Sequence, residues 1–126
     1  MITEDYVSFE VAKLLKEKGF DEIECNTCYK WNGNFCNNRR SMSGIDKEIC
    51  YQAPTHQMAL KWLREAHSKN IILDMVPLDE DSYVLWTFNV YCNKNYKIMW
   101  GTKQPKYNTY EDAIEAAIKY CLTNLI

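Results

Sequence analysis

Apolar positions change period several times along the chain, and each change marks a predicted element. Val7, Val11, Leu14 and Leu15 share one angular sector at about 100° per residue, which predicts an amphipathic helix with a single buried face. Ser8 can cap its start by accepting from an orphan backbone amide. Gly19 after Lys18 can supply a left-handed stop, with Phe20 placed for a Schellman-type contact. A second stripe, Met58, Ala59, Trp62, Leu63 and Ala66, follows Pro54 and a Thr55 cap, with Gln57, Lys61, Arg64 and Glu65 opposite. The third, Ala113, Ile114, Ala117, Ile118, Cys121 and Leu122, starts from Thr109, with Asp112 completing a capping box. Early Glu111, Asp112 and Glu115 and late Lys119 suit its dipole.

Between the first two helices the signal is that of strands. Asn32-Gly33 predicts a two-residue type I′ turn joining residues 28–31 to residues 34–36. Residues 39–47 read as loop, and residues 48–52 as a third short strand. After Asn70 come strand-like runs at 71–76, 83–92 and 96–100, parted by turn residues 78–82 and 93–95. In the middle run Val84, Trp86, Phe88 and Val90 point one way, whereas Tyr83, Leu85, Thr87, Asn89 and Tyr91 point the other. One sheet face is therefore core and the other only partly covered. The order helix, hairpin, short strand, helix, three-strand meander, helix predicts an α+β fold of antiparallel sheets and three amphipathic helices. With no linker-like or low-complexity stretch, one domain over 1–126 is expected.

The three helix starts share a local pattern: Ser8-Phe9-Glu10-Val11-Ala12, Thr55-His56-Gln57-Met58-Ala59 and Thr109-Tyr110-Glu111-Asp112-Ala113. Each runs hydroxyl cap, ring, Glu or Gln, any residue, alanine. Cap chemistry with a close helix-to-sheet approach at the alanine explains the pattern without duplication; an ancestral repeat of a strands-then-helix unit is the alternative. The blocks 53–67, 6–20 and 109–117, with Trp62-Leu63-Arg64-Glu65 the most distinctive part, resemble small uncharacterised proteins encoded by phages and mobile elements of gut Bacteroides-type bacteria. That resemblance implies a phage or prophage origin and a bacterial cytoplasm, and it carries over no activity, cofactor or catalytic residue.

Composition sharpens the picture. At 126 residues, 47% hydrophobic and a formal charge of -2, the chain can bury roughly two-thirds of its unfolded surface, so no metal or disulfide staple is required. Apolar runs such as Ile71 to Leu73 are far short of the roughly 20 residues that cross a bilayer. Acidic residues among the first twenty do not suit a signal peptide, so a cytoplasmic protein with free thiols is expected.

Six cysteines and 13% aromatic residues are both high, and they define the chemical questions. Cys25 and Cys28, with Cys36 and Cys50, could enclose a tetrahedral Zn²⁺, although the second pair lacks the close spacing of a zinc ribbon. Thiols packed as small apolar side chains are the favoured reading, with no cofactor. A redox role for Cys25-x-x-Cys28 lacks the helix start that depresses a thiol pKa. Cys92 and Cys121 read as core by periodicity. His56 and His67 stand about 16 Å apart along one helix, too far to share an ion. A Cys50–His56 dyad, with His56 exposed at its helix start, has no third orienting group. Asp79-Glu80-Asp81 reads as a solvated turn. No catalytic set is supported, and the chain is expected not to be an enzyme.

Charge is arranged in alternating acidic and basic blocks. Residues 93–110 hold Lys94, Lys97, Lys103 and Lys106 and no acid, interleaved with Tyr96, Trp100, Tyr107 and Tyr110. Lysines for phosphates and rings for stacking make this segment a candidate surface for nucleic acid or for a partner. Against nucleic acid stands the pI of about 5.7. The leading expectation is therefore a non-catalytic accessory protein that works by protein contact or homo-oligomerisation, through aromatics such as Trp31, Tyr83 and Tyr91 that a small core does not fully bury.

Overall fold

The computed structural model describes residues 2–78, 83–94, 97–101 and 106–126, with Leu78, Tyr83 and residues 97–101 described by their backbone. The fold is α+β, with two three-stranded antiparallel sheets. Two compact units divide the chain, residues 1–59 and 60–126, and their boundary falls inside one helix.

Unit 1 begins with α1 (Phe9–Glu17). Ser8 Oγ accepts from Val11 N at 3.2 Å. At the other end Phe20 N donates to Leu15 O and Gly19 N to Lys16 O, the paired bonds of a Schellman motif, with Gly19 at φ +92°. Val7, Val11, Ala12, Leu15 and Phe20 are buried, and Leu14 only half so.

The small sheet consists of β1 (Cys28–Tyr29), β2 (Phe35–Cys36) and β3 (Tyr51–Gln52), in the order β2-β1-β3. The hairpin departs from the predicted two-residue turn. Lys30 N donates to Asn34 O and Gly33 N to Lys30 O, so the loop is Trp31-Asn32-Gly33, and only Gly33, at φ +88°, is left-handed. Asn-Gly serves both geometries: a type I′ turn needs both residues left-handed, whereas a three-residue loop needs only the glycine. The difference shifts the register by one residue and sets Cys28, rather than Tyr29, opposite Cys36.

Residues 39–47, expected to be loop, contain a 3₁₀ turn at Arg39–Ser41 and the short helix α2 (Gly44–Ile49). Ser43 caps α2 by accepting from Asp46 N, and its hydroxyl donates to the Asp46 carboxylate. The expected strand at 48–52 is correspondingly cut to two residues.

Helix α3 (His56–His67) follows Pro54, with Thr55 Oγ1 accepting from Met58 N at 3.2 Å. Its buried positions are His56, Ala59, Leu60 and Leu63, whereas Trp62 is half-buried and Ala66 exposed. The stripe is thus rotated from the predicted one, and His56 is buried rather than exposed.

Unit 2 is a meander of β4 (Lys69–Leu78), β5 (Tyr83–Cys92) and β6 (Lys97–Gly101), followed by α4 (Tyr110–Tyr120). Register Ile71↔Val90 and Leu73↔Phe88 puts these side chains on one face, against which α4 packs Ala113, Ile114, Ala117 and Ile118. Cys121 and Leu122, in a closing π-helical turn, complete that stripe as predicted. Past β6 the chain returns to β5, where Trp86 N donates to Tyr107 O. Alanines 12, 59 and 113, each four residues after a hydroxyl cap, are all fully buried, as a close helix approach requires. Among the described residues no helix is long and apolar enough to cross a membrane.

Candidate interaction surface

Strand alternation sorts the small sheet of unit 1 into two chemically distinct faces. Tyr29, Phe35 and Tyr51 are register partners and lie on one face. Their rings continue a path from Tyr6, tilted against Phe35, and then edge-to-face through Tyr29 and Phe9 to Tyr51, with centroids 5.2 to 5.6 Å apart. Tyr29 OH donates to Val7 O at 2.7 Å, and the ammonium groups of Lys13 and Lys16 sit over Phe9 and Tyr51. Much of the aromatic excess is thereby absorbed into packing.

The opposite face carries sulfur. Cys28 lies across from Cys36 on one side and Gln52 on the other, and Cys50, two residues before Gln52, falls on the same face. Cys28 Sγ is 3.4 Å from Met42 Sδ. Burial pushes the Cys28 thiol pKa up, and the neighbouring Cys50 and Cys36 thiols push it further. Cys50 is buried and donates its S–H to Lys47 O. Cys25 stands apart, its thiol donating to Thr27 O at 3.6 Å; burial raises its pKa, against the opposing pull of Thr27 and of the Arg39 charge. The four-cysteine set Cys25, Cys28, Cys36 and Cys50 is therefore not assembled, and among the described residues no three Cys, His, Asp or Glu side chains converge to hold a metal ion. The physical reason lies in the thiols' own partners: the Cys25 thiol is turned to the Thr27 carbonyl, and the Met42 thioether occupies the place beside Cys28.

The expected split of the cysteines is also revised. Cys25, Cys28 and Cys50 are buried along with Cys121, while Cys36 and Cys92 are intermediate.

In unit 2 the basic segment is described in part. Lys94 and Lys106 are exposed; Lys97 and Trp100 belong to the backbone of β6; Lys103 and Tyr96 lie outside the described residues. The Tyr107 ring rests 6.0 Å from Phe88, under the Lys106 ammonium, and Tyr110 stands edge-on to Trp86 at 5.2 Å. These two rings pack against their own sheet. Asp79-Glu80-Asp81 also lies outside the described residues. Tyr91 is half-buried.

Unit 1 carries exposed apolar surface that the sequence only partly located, beside that of Ile72 and Met75 on β4 in unit 2. Trp31, at the hairpin tip, is 69% exposed, and on α2 Ile45 and Ile49, one turn apart, are 73% and 44% exposed. Trp31, Met42 and Ile49 line a recess of about 240 Å³, with Lys30 and Asp46 on its edge. Reading residues 39–47 as loop hid the isoleucine pair; the Ser43-x-x-Asp46 capping signal could have revealed it. No protein-family model matches the chain, and comparison with curated proteins and with solved structures finds nothing similar to it.

Proposed function

We propose that the chain is a non-catalytic accessory protein of phage or prophage type, acting through protein contact at Trp31 and α2. The observation that carries this reading is the recess lined by Trp31, Met42 and Ile49, continuous with exposed Ile45 one helical turn away. A large exposed aromatic ring at the mouth of a recess with apolar Met42 and Ile49 among polar neighbours is the arrangement in which binding energy concentrates at interfaces. The occupant is a polypeptide segment that places one apolar side chain in the recess, with charged neighbours able to meet Lys30 and Asp46.

The test is selection of a random peptide library on the immobilised protein. Enriched peptides should share an apolar anchor and lose at least tenfold in affinity against Trp31→Ala and against Ile49→Asp, with the circular dichroism of both variants unchanged. No enrichment, or enrichment indifferent to both substitutions, overturns the reading. The alternative is a nucleic-acid surface along Lys94 to Lys106, which draws on the exposure of Lys94 and Lys106. It requires a mobility shift with mixed DNA or RNA at low salt that weakens steeply as salt rises.

A further inference from the structure

The thiols on the sulfur face of the small sheet differ in what can reach them. Cys28 and Cys50 are buried, whereas Cys36, on the edge strand β2, is half-buried. Cys28 and Cys36 are direct register partners. Lys30 N donates to Asn34 O at 2.8 Å, and opposed pairs alternate in kind along the ladder, so Cys28 and Cys36, two residues further from the loop, form a hydrogen-bonded pair. The Cα atoms of such a pair are roughly 5.5 Å apart, inside the range that a disulfide spans.

The other thiols of unit 1 are placed differently. The Cys50 thiol also approaches that of Cys28, but Cys50 stands two residues from Gln52, the register partner of Cys28 on β3. Diagonal neighbours of that kind have Cα atoms roughly 7 Å apart or more, the limit of what a bridge tolerates. Its S–H is moreover engaged with Lys47 O at 3.2 Å, and the Cys25 thiol is turned to Thr27 O.

We propose that Cys28 and Cys36 are a reversible redox pair, closed by a small-molecule disulfide into a cross-strand bridge that pins the hairpin carrying Trp31. The Cys36 thiolate attacks one sulfur of the incoming disulfide and expels the other half as a thiolate, leaving a mixed disulfide on β2. Cys28 Sγ then attacks Cys36 Sγ, the bond to the small molecule breaks, and its second half departs. The protons shed by the two cysteines end on the two small thiols, so the protein loses two electrons and the reagent gains them. Exposure sets this order: buried Cys28, with its raised pKa, is a poor entering thiol, and only its position opposite Cys36 lets it complete the exchange. A hydrogen-bonded pair holds its side chains further apart than the other kind, so the bridge closes under strain and is readily reduced again, as a switch requires. Bridge formation does not depend on what occupies the Trp31 recess.

The test equilibrates the folded protein in glutathione buffers of rising oxidised-to-reduced ratio, quenches with N-ethylmaleimide and digests with trypsin. Cleavage after Lys18, Lys30 and Arg39 leaves Cys36 in residues 31–39 and Cys28 in residues 19–30, together with Cys25. These two peptides should become linked as the ratio rises, with fragmentation placing the bond at Cys28, and should separate when the ratio is reversed. Cys36→Ser should abolish the link, and Cys50→Ser should leave it in place. Hydrogen exchange at the Lys30 amide, which spans the hairpin, should slow about tenfold in the oxidised protein. Cys28 left free in oxidised glutathione alone, Cys28 joined to Cys25 or Cys50 instead, or Lys30 exchange unchanged by oxidation overturns the proposal.

Discussion

Cys28 is fully buried beside the Met42 thioether, with Cys36 across the ladder and Cys50 on the same face. Its raised pKa and lack of solvent contact both suppress the thiolate that alkylating agents attack. Mass-spectrometric mapping during brief iodoacetamide treatment at pH 8 should find half-buried Cys36 modified about tenfold faster than Cys28. Equal rates would remove the case for a closed sulfur face. Gly33 makes the same register visible from the loop side. A Cβ there would stand 3.8 Å from the Phe9 ring, an ordinary contact, so Gly33→Ala meets no steric obstacle beyond its φ of +88°. The expected loss is about 1 kcal/mol, the cost of holding alanine in the left-handed region, measured by denaturant unfolding. A loss of several kcal/mol would point instead to a repacked Phe9. Asn32-Gly33 made the hairpin legible in the sequence, but its register was not, because the choice of loop length depends on pairing with β3 and on the aromatic path, neither of which is local.

At the level of elements, the long periodic segments were the most legible. Helix α4 buries the six side chains its period predicts, and α1 stops at Gly19 through the expected bonds. Helix α2 was missed because six residues give too little period to register, and its isoleucines face solvent instead of forming a buried stripe. The candidate site suffered most from that omission: Ile45 and Ile49 both belong to α2, whereas the basic segment singled out from the sequence lies in unit 2. The turn from α3 into β4 carries a different strain. Ser68 has φ +56°, the one non-glycine residue with positive φ among those described, and Asn93 ties the turn by donating from its backbone to Ser68 O and from its side chain to Arg64 O. Ser68→Gly removes the Cβ penalty at that position while raising the entropy of the unfolded chain. A net gain of roughly 0.5 kcal/mol is expected in chemical denaturation. A loss would mean that the serine side chain contributes more than its backbone strain takes away.

Across the whole chain, buried thiols should make stability fall with alkaline pH. Cys121 in unit 2 is buried without exposure, and burial pushes its pKa up to about 12 from the ordinary value of 9.0, with Lys69 pulling weakly the other way. Below the unfolded pKa both states hold the proton and the thiol packs at no electrostatic cost. Between about 9 and 12 the unfolded chain releases a proton that the folded chain retains, so each such thiol lowers stability by about 1.4 kcal/mol per pH unit. Cys28 adds the same sense of dependence in unit 1. The wild-type profile sums every group that ionises in alkaline solution and would not isolate the thiol contribution. The informative quantity is the difference between wild type and Cys121→Ala. Both should unfold at constant denaturant midpoints up to about pH 8.5, with the variant lower because it leaves a small cavity. Above that pH the gap should close, since only the wild type keeps losing the thiol's contribution. Parallel profiles from pH 7 to 11 would show that Cys121 ionises as readily in the folded chain as in the unfolded one, which its packing between Ile118 and Leu122 in the buried stripe of unit 2 does not allow.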